Sequence, residues 1–342
     1  MTDGGALVVL EKKPMFGMRR REFITLLGGA AAAWPLAAHA QQTGKVHRVG
    51  ILFAGSGEGS VPDQAFRSGL RERGYIEGQN IIVEFRTAAG KYDDLPRLAT
   101  ELVALNPDVI FAPAEAALRA CLQVSHTIPI VIAAVEFDPV EVGLITSIAR
   151  PGGNVTGVIF NQVESSGKRV ERLKEAVPGL SRVAAVVESG GKFQLHETER
   201  AARSLGVILR IIDLRAPPDF DKAFEAVLHE RVGGLIVLVS PATYAHRAKI
   251  ASLAIENRLP AIAPFSEFVE EGGLLSYGAS FARMFHDAAA HYVDRILRGA
   301  RLADLPIEQP TKFEFSINLK TARTLGLTVP PHVLAIADEV IE

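Results

Sequence analysis

Short apolar segments alternate with amphipathic helical segments along this chain, and the alternation occurs twice. The predicted strands lie at 46–53, 80–86, 108–112, 128–135, 182–188, 207–213, 234–239, 260–263 and 273–277, and the predicted helices at 62–73, 93–105, 115–125, 140–149, 193–205, 219–230, 242–257, 281–298 and 318–325. A strand and its helix together take roughly 25–30 residues, the length of a βαβ unit. The strands lack an apolar–polar alternation, which indicates parallel sheets covered on both faces. The sequence therefore predicts an α/β fold with two doubly wound parallel-sheet lobes that separate near 151–165.

The first forty residues have the order of an export signal. Three arginines at 19–21 precede an apolar run at 24–38, and an Ala-His-Ala sequence that signal peptidase accepts ends at Ala40. The apolar run is shorter than the ~20 residues that span a bilayer. We therefore expect a signal peptide at 1–40 that is cleaved after Ala40, and export to the periplasm by the twin-arginine route. We expect translation to start at Met18, because the residues before it match no part of such a signal.

Composition argues against several classes of protein. The 37 basic and 39 acidic residues fall to 32 and 36 when the five basic and three acidic residues of 1–40 are removed, a net charge of −4. A mildly acidic chain lacks the basic face that nucleic acid requires, so we expect no nucleic-acid partner. Cys121 is the single cysteine, so no intrachain disulfide is possible. No later apolar run is long enough to span a membrane, and we expect the mature protein not to be membrane-inserted.

The motifs of catalysis and cofactor binding are missing or incomplete. His286 and His291 are five residues apart, so they do not share a helix face as metal ligands would. No G-x-S-x-G sequence marks a nucleophile. The glycine-rich loop at 55–59 reads G-x-G-x-G, which departs from the dinucleotide-binding pattern. We therefore expect no metal, no cofactor and no catalytic residues, and we interpret the loop as a tight strand-to-helix turn.

Segments distributed over the whole mature chain resemble a known family. They lie at 69–80, 127–131, 138–140, 149–157, 272–278, 305–314 and 317–322. The sequence there is similar to the periplasmic substrate-binding proteins of ABC transporters, in the group that includes tryptophan/tyrosine-type binding proteins. The resemblance implies the type I periplasmic-binding-protein fold, in which two lobes joined by three crossovers close on a small ligand. It also implies an ABC permease in the inner membrane as the partner.

The resemblance leads to expected boundaries for the two lobes. Lobe 1 is expected to contain 46–155 plus about 278–316, and lobe 2 to contain 156–277 plus about 317–342. The three crossovers are expected near 154–160, near 277–280 and in the stretch 310–318.

Ligands of open α/β sheets bind outside the carboxyl ends of the strands, and this rule predicts which loops line the cleft. The loops are 54–60, 112–116, 136–139, 188–192, 240–244 and 264–267, with Tyr277 close to a crossover. The residues expected to contact the ligand are Ser56, Gly57, Glu115, Ala116, Phe137, Asp138, Ser240, Phe265 and Tyr277. Helices that begin in these loops present free N–H groups suited to a ligand carboxylate.

Several of these residues have a second interpretation. Family members commonly carry Gly-Thr where this chain has Ala-Glu at 114–115. Glu115 is either a first-turn residue stabilised by the helix dipole or a cleft residue that pairs with a cationic or hydroxylated ligand group. Asp138 either caps the following helix or binds a ligand ammonium group. The aromatic residues either form an apolar wall or pack against helices; they are Phe137, Phe265 and Tyr277.

Two classes of function remain open at this point. The first is a binding module that captures an amino acid or an aromatic or carboxylate compound and delivers it to the permease, or a related ligand sensor that presents its closed form to a membrane receptor. The second is an exported α/β enzyme such as a hydrolase, for which no nucleophile with a positioned base can be assembled. If Glu115 faces the cleft, its charge favours a zwitterionic or hydroxyl-bearing ligand over a simple aromatic monoacid.

Overall fold

Two β-sheets organise the chain from Val46 to Glu342 in the computed structural model. The structure describes residues 1, 45–55, 57–134, 137–160, 162–188, 192–215, 219–309 and 313–342. The predicted export signal and its cleavage site lie outside these residues, apart from Met1. The fold is of the α/β class with parallel sheets, as predicted.

The first sheet has five parallel strands and forms the centre of what we call lobe 1. Its order is β2-β1-β3-β4-β5, with β1 His47–Phe53, β2 Ile81–Thr87, β3 Val109–Phe111, β4 Ile130–Ala134 and β5 Val155–Ile159. The helices between them are α1 Val61–Glu72, α2 Leu95–Ala104 and α3 Glu115–Val124, with a short 3-10 turn at Tyr92–Asp94. The order reverses at β1, so the sheet is doubly wound.

The second sheet has seven strands and forms the centre of lobe 2. Its order is β12-β11-β10-β9-β8-β6-β7, with β6 Arg182–Glu188, β7 Ile208–Leu214, β8 Leu235–Val237, β9 Ala261–Ala263, β10 Leu275–Gly278, β11 Glu314–Asn318 and β12 Glu339–Ile341. Only the β10–β11 pair among these is antiparallel. The helices are α4 Gln162–Ala176, α5 Lys192–Ser204, α6 Phe220–His229, α7 Pro241–Ala245, α8 Arg247–Glu256 and α9 Glu267–Glu270.

The remaining elements connect and complete the lobes. They are α10 Phe281–Asp287, a π-helical segment at Ala288–Val293, α11 Asp294–Leu297, a 3-10 turn at Leu302–Asp304, α12 Leu319–Thr324 and α13 Pro331–Leu334. The helix predicted at 281–298 is therefore interrupted by the π-helical segment. Helix α10 packs against α1 of lobe 1.

Two features differ from the sequence-based expectation. The predicted helix at 140–149 is a series of turns, the first of which is held by hydrogen bonds that Asp138 Oδ1 accepts from the N–H groups of Val140 (2.8 Å) and Glu141 (3.2 Å). Gly143 then adopts φ +73°, which ends any helical path. Helix α4 was not predicted: the sequence placed a break near 151–165 and no element between it and the strand at 182–188.

The chain passes between the sheets near the three expected crossovers, and only the first passage lies later than expected. Strand β5 belongs to the five-stranded sheet, so the first passage follows Phe160 rather than lying within 154–160. The second passage is at 279–280, as the chain leaves β10 for α10. The third comes after Gln309 and before β11, because β11 belongs to the second sheet. The lobe limit predicted at 155 therefore falls within β5 of lobe 1, and the limit predicted at 316 falls within β11 of lobe 2.

The segment 305–308, which precedes the third crossover, is bound to the edge of the lobe 1 sheet. Thr156 Oγ1 donates a hydrogen bond to the Leu305 carbonyl at 2.7 Å. Val158 and Glu308 form an isolated parallel bridge. These contacts extend the edge of the five-stranded sheet by one short segment and fix where the third crossover begins.

Helix α10 carries two aromatic side chains that contact different lobes. The Phe285 ring lies 5.7 Å from that of Phe53 and 5.3 Å from that of Phe111, both of which belong to lobe 1. The Phe281 ring stacks at 4.8 Å on Tyr244 of lobe 2. Through these rings one apolar core extends from lobe 1 into lobe 2. Helix α10 therefore packs on both lobes and connects them.

Candidate functional site

The carboxyl ends of strands in the two sheets meet directly. Gly55, after β1, and Ser240 and Pro241, after β8, line a small cavity of about 50 Å³ together with Ala114 and Tyr244. A Cβ atom placed on Gly55 would lie 2.9 Å from the Cβ and the carbonyl oxygen of Pro241. The absence of a side chain at Gly55 thus allows the lobes to approach each other here.

A second contact between the lobes joins two polar side chains. Tyr92 lies in the 3-10 turn after β2, and Glu188 is the last residue of β6. The Tyr92 hydroxyl donates a hydrogen bond to Glu188 Oε1 at 2.6 Å. Glu188 is 6% exposed, and its second carboxylate oxygen, Oε2, is enclosed and has no hydrogen-bond partner in the part of the chain that the structure describes.

The loop after β8 is fixed from behind by polar side chains of lobe 2. Gln194 of α5 is fully buried, and its amide bonds both to the N–H of Val239 (3.0 Å) and to the carbonyl of Val239 (3.1 Å). Ser240 and Thr243 form a reciprocal capping box at the start of α7. Ser240 therefore has a fixed position at the lobe contact, with its hydroxyl engaged in capping.

The predicted lobe 1 residues lie in different environments. Ser56 lies outside the described residues, and Gly57 is exposed, with open space where a Cβ would be. Glu115 opens α3, and its carboxylate accepts a 2.7 Å hydrogen bond from Arg119 Nε one turn later. This ion pair fits a first-turn residue of a helix. Ala116 is half-buried against the lobe 1 core.

Two of the predicted aromatic residues are enclosed by core side chains. Phe137 is 2% exposed in the lobe 1 core, and Phe265 is fully buried against Tyr244 and Phe281. Both rings therefore take the packing role rather than the role of a cleft wall. Tyr277 is half-buried, and its ring stacks on that of Phe313 at 6.0 Å.

The Asp138 carboxylate is used locally. It accepts the hydrogen bonds from backbone N–H groups that hold the turn after Pro139. Asp138 therefore caps a turn and not a helix, because no helix forms at 139–150.

Arg169 was not singled out from the sequence. Its side chain on α4 is fully buried, and it donates to Ser165 Oγ (3.0 Å), Ser166 Oγ (2.6 Å) and the carbonyl of Tyr277 (3.2 Å). Burial lowers the pKa of the guanidinium to about 9, because the charged form loses its hydration. The serine pair three and four residues before the arginine is the sequence signal that would have indicated a polar helix face.

A larger cavity of about 560 Å³ lies at the crossovers rather than at the carboxyl ends of the strands. Its walls include Phe160 from the first crossover, Ala279 and Ser280 from the second, and Glu308 and Glu314, which flank the third. The cavity therefore surrounds the connections between the lobes and is separate from the strand ends where the lobes meet.

Glu267 ties lobe 2 to the second crossover. This buried carboxylate accepts a hydrogen bond from the N–H of Ala282 at 2.9 Å. Burial raises the pKa of Glu267, and burial together with this nearby carboxylate raises the pKa of Tyr244. The start of α10 is therefore held by lobe 2, although its later residues pack on lobe 1.

Two further findings concern the described residues alone. They contain no group of three or more histidine, cysteine, aspartate or glutamate side chains arranged to hold a metal ion. None of their helices combines the length and apolarity needed to cross a membrane.

Known proteins are similar to this chain over most of its length. The model of a family described as ABC transporter substrate binding protein matches residues 60–341. A tyrosine-binding protein of Clostridioides difficile is 25% identical over 273 residues, which are 77% of this chain and 76% of that protein.

Two solved structures are similar over most of the chain. A conserved domain protein from Vibrio cholerae O1 biovar El Tor has a TM-score of 0.76 at 27% identity, covering 86% of this chain and 100% of that one. An ABC domain from Streptococcus pneumoniae in complex with L-Trp has a TM-score of 0.76 at 24% identity, covering 86% and 99%.

Proposed function

We propose that this chain, which belongs to the family of ABC transporter substrate-binding proteins, holds an amino acid or a related aromatic carboxylate between its lobes and passes it to a permease in the inner membrane. Its role as a solute-binding protein follows from the family, and proteins of this family work outside the cytoplasm. The observation that carries the proposed mechanism is the contact between the carboxyl ends of the two sheets at Gly55 and Pro241. Open α/β sheets bind ligands at that edge.

The proposed ligand class is supported by two of the similar proteins. One is named for tyrosine, and the other was solved with L-Trp. Tyrosine and tryptophan are free amino acids with an aromatic side chain, and each offers one ammonium group, one carboxylate and one aromatic ring system. A cleft of this kind needs polar groups of both signs together with apolar area.

The mechanism that we propose is closure without chemistry. The lobes are joined by three thin passages and by α10, and a solute that contacts both lobes stabilises the closed arrangement. The protein then releases the same solute to the permease. We further propose that the mature chain begins at Gln41 in the periplasm after export by the twin-arginine route, on the basis of the arginines at 19–21 and the small residues that end at Ala40.

A thermal-shift screen tests the solute-binding role. The mature protein is heated with each of the amino acids and with aromatic carboxylic acids at millimolar concentration. A solute at a hundred times its dissociation constant should stabilise the protein by about 2.7 kcal/mol and raise the unfolding midpoint measurably. The proposed ligand class is refuted if no amino acid or aromatic acid raises the midpoint.

The enzyme and sensor alternatives need their own measurements. Proton NMR of the bound solute after release should show an unaltered compound, and any product would establish catalysis. Uptake of the radiolabelled solute should fall in cells that lack this protein and return when it is supplied. Normal uptake in those cells would argue for the sensor role.

A further inference from the structure

We infer that Glu188 of lobe 2 receives the ammonium group of the solute through its Oε2 atom, and that Tyr92 of lobe 1 closes over this pair. The inference rests on the proposed function and names the chemistry that selects the solute: a free amino acid is bound in preference to the same acid without its amino group.

The position of Glu188 places its carboxylate between the lobes. It is the last residue of β6, the strand end at which this fold binds ligands. Its Oε1 atom accepts a hydrogen bond from Tyr92, which belongs to the other lobe and lies 96 residues away in the chain. The side chain therefore reaches across the cleft rather than packing within lobe 2.

The unused oxygen is the feature that points to a ligand. Glu188 is 94% buried, and Oε2 is enclosed without a hydrogen-bond partner among the described residues. An ionised carboxylate removed from water is strongly destabilised unless a donor or a cation compensates it. An ammonium group supplies the positive charge and up to three N–H donors, and hydrogen bonds between charged groups are about twice as strong as neutral ones.

Two other acidic residues beside the cleft loops make their contacts within their own helix or at the second crossover. Glu115 pairs with Arg119, whose Nε lies 2.7 Å from its carboxylate. Glu267 accepts hydrogen bonds through Oε1 from the Ala282 N–H and the Ser280 hydroxyl at the second crossover. Its Oε2 is also buried without a partner among the described residues, but the hydrogen-bond donors of Glu267 belong to the crossover and not to the facing strand ends. Glu188 differs from both because its partner belongs to the opposite lobe, so a cation bound to it is retained when the lobes close.

The experiment compares Glu188→Gln with the wild type by calorimetric titration. The probes are L-tryptophan and L-tyrosine, and the same acids without the amino group, indole-3-propionate and 3-(4-hydroxyphenyl)propionate. Glu188→Gln keeps the shape and an acceptor for Tyr92 but removes the charge. We expect the affinity for the amino acid that binds to fall tenfold or more, while the affinity for its deaminated analogue stays within about twofold.

Two further variants separate charge recognition from closure. Tyr92→Phe removes only the hydroxyl that bonds to Glu188, and it should weaken the amino acid and its analogue by the same factor. Glu230→Gln is the matched control, because Glu230 follows α6, at the amino end of the sheet in lobe 2, and pairs on the surface with Arg210 at 2.9 Å. It should leave both affinities unchanged.

Three results would overturn the inference. Equal weakening of both probes by Glu188→Gln would show that the residue acts only through its contact with Tyr92. Unchanged affinity for the amino acid would remove Glu188 from the site altogether. A wild type that binds the deaminated acids and no amino acid would refute ammonium recognition while leaving solute binding intact, whereas a wild type that binds none of the probes refutes the proposed ligand class as well.

Discussion

Replacing Gly55 by alanine should prevent the lobes from closing fully. The new Cβ would lie 2.9 Å from the Cβ and the carbonyl oxygen of Pro241 and 3.0 Å from its carbonyl carbon. Carbon atoms prefer a separation of about 3.5–4.0 Å, so the contact is at least about 0.5 Å too short. Backbone atoms of Pro241 take part, so no rotation of a flexible side chain can relieve the overlap. Either the loop or the whole lobe must move.

The size of the effect follows from the cost of an added methyl group in a tight contact. Such overpacking typically costs about 1–3 kcal/mol. Gly55 and Pro241 belong to different lobes, so the cost falls on the closed form and not on the open one. The affinity for solute should therefore fall by about 5-fold to 150-fold, since each 1.4 kcal/mol corresponds to a factor of ten.

Calorimetric titration with the solute found in the thermal-shift screen measures this loss. Without solute, the unfolding midpoint of Gly55→Ala should stay within about 2 °C of the wild type, since the lobes remain folded. Gly167→Ala is the matched control, because its added Cβ would meet Ala201 Cβ at 3.4 Å, an ordinary contact on the helix α4. It should keep wild-type affinity. If Gly55→Ala also binds within twofold of the wild type, the closed contact is not required for binding and the reasoning is refuted.

Three other outcomes are expected. Small-angle scattering should show a smaller radius of gyration when solute is present, and an unchanged radius at saturation would contradict closure. Phe285→Ala should lower the free energy of unfolding by about 3–5 kcal/mol, because it removes a buried ring that contacts two others. Thermal unfolding should then show a midpoint lower by roughly 6 °C or more. Burial raises the pKa of Cys121 to about 12 from the usual 9.0, so the native thiol should resist Ellman's reagent at pH 8. Because the unfolded thiol loses its proton first, the free energy of unfolding should also fall as the pH rises above about 9, and a Cys121→Ala variant should lack this contribution.

Much of the fold was predictable because its central strands are buried on both faces. β6 was predicted at the residues it occupies, 182–188, and β1 and β4 within two residues at each end. Uninterrupted apolar runs of this length leave few alternatives. Helix α4 was missed for the opposite reason, since its sequence is rich in polar and charged residues and its identity depends on packing against lobe 2.

The candidate site was predictable only at the level of loops. The rule that ligands bind at the carboxyl ends of strands leads to the loops around Gly55 and Ser240, which do meet in the structure. It does not say which side chains in those loops turn inward, and Phe265 turned into the core. The Tyr92–Glu188 bond joins residues of different lobes, and no local pattern in the sequence records such a pairing.

The strand order of lobe 1 places the first crossover and Tyr92 at opposite edges of the sheet. The chain first leaves lobe 1 at β5, one edge of the sheet, whereas Tyr92 follows β2, the other edge. Neighbouring strands lie about 4.8 Å apart, so four spacings separate these edges by roughly 19 Å, and a rotation of about 10° at one edge moves the other by roughly 3 Å. That displacement is enough to break the 2.6 Å hydrogen bond between Tyr92 and Glu188 completely. In the proposed closure, a small angular change at one edge of the sheet therefore makes or breaks this contact between the lobes.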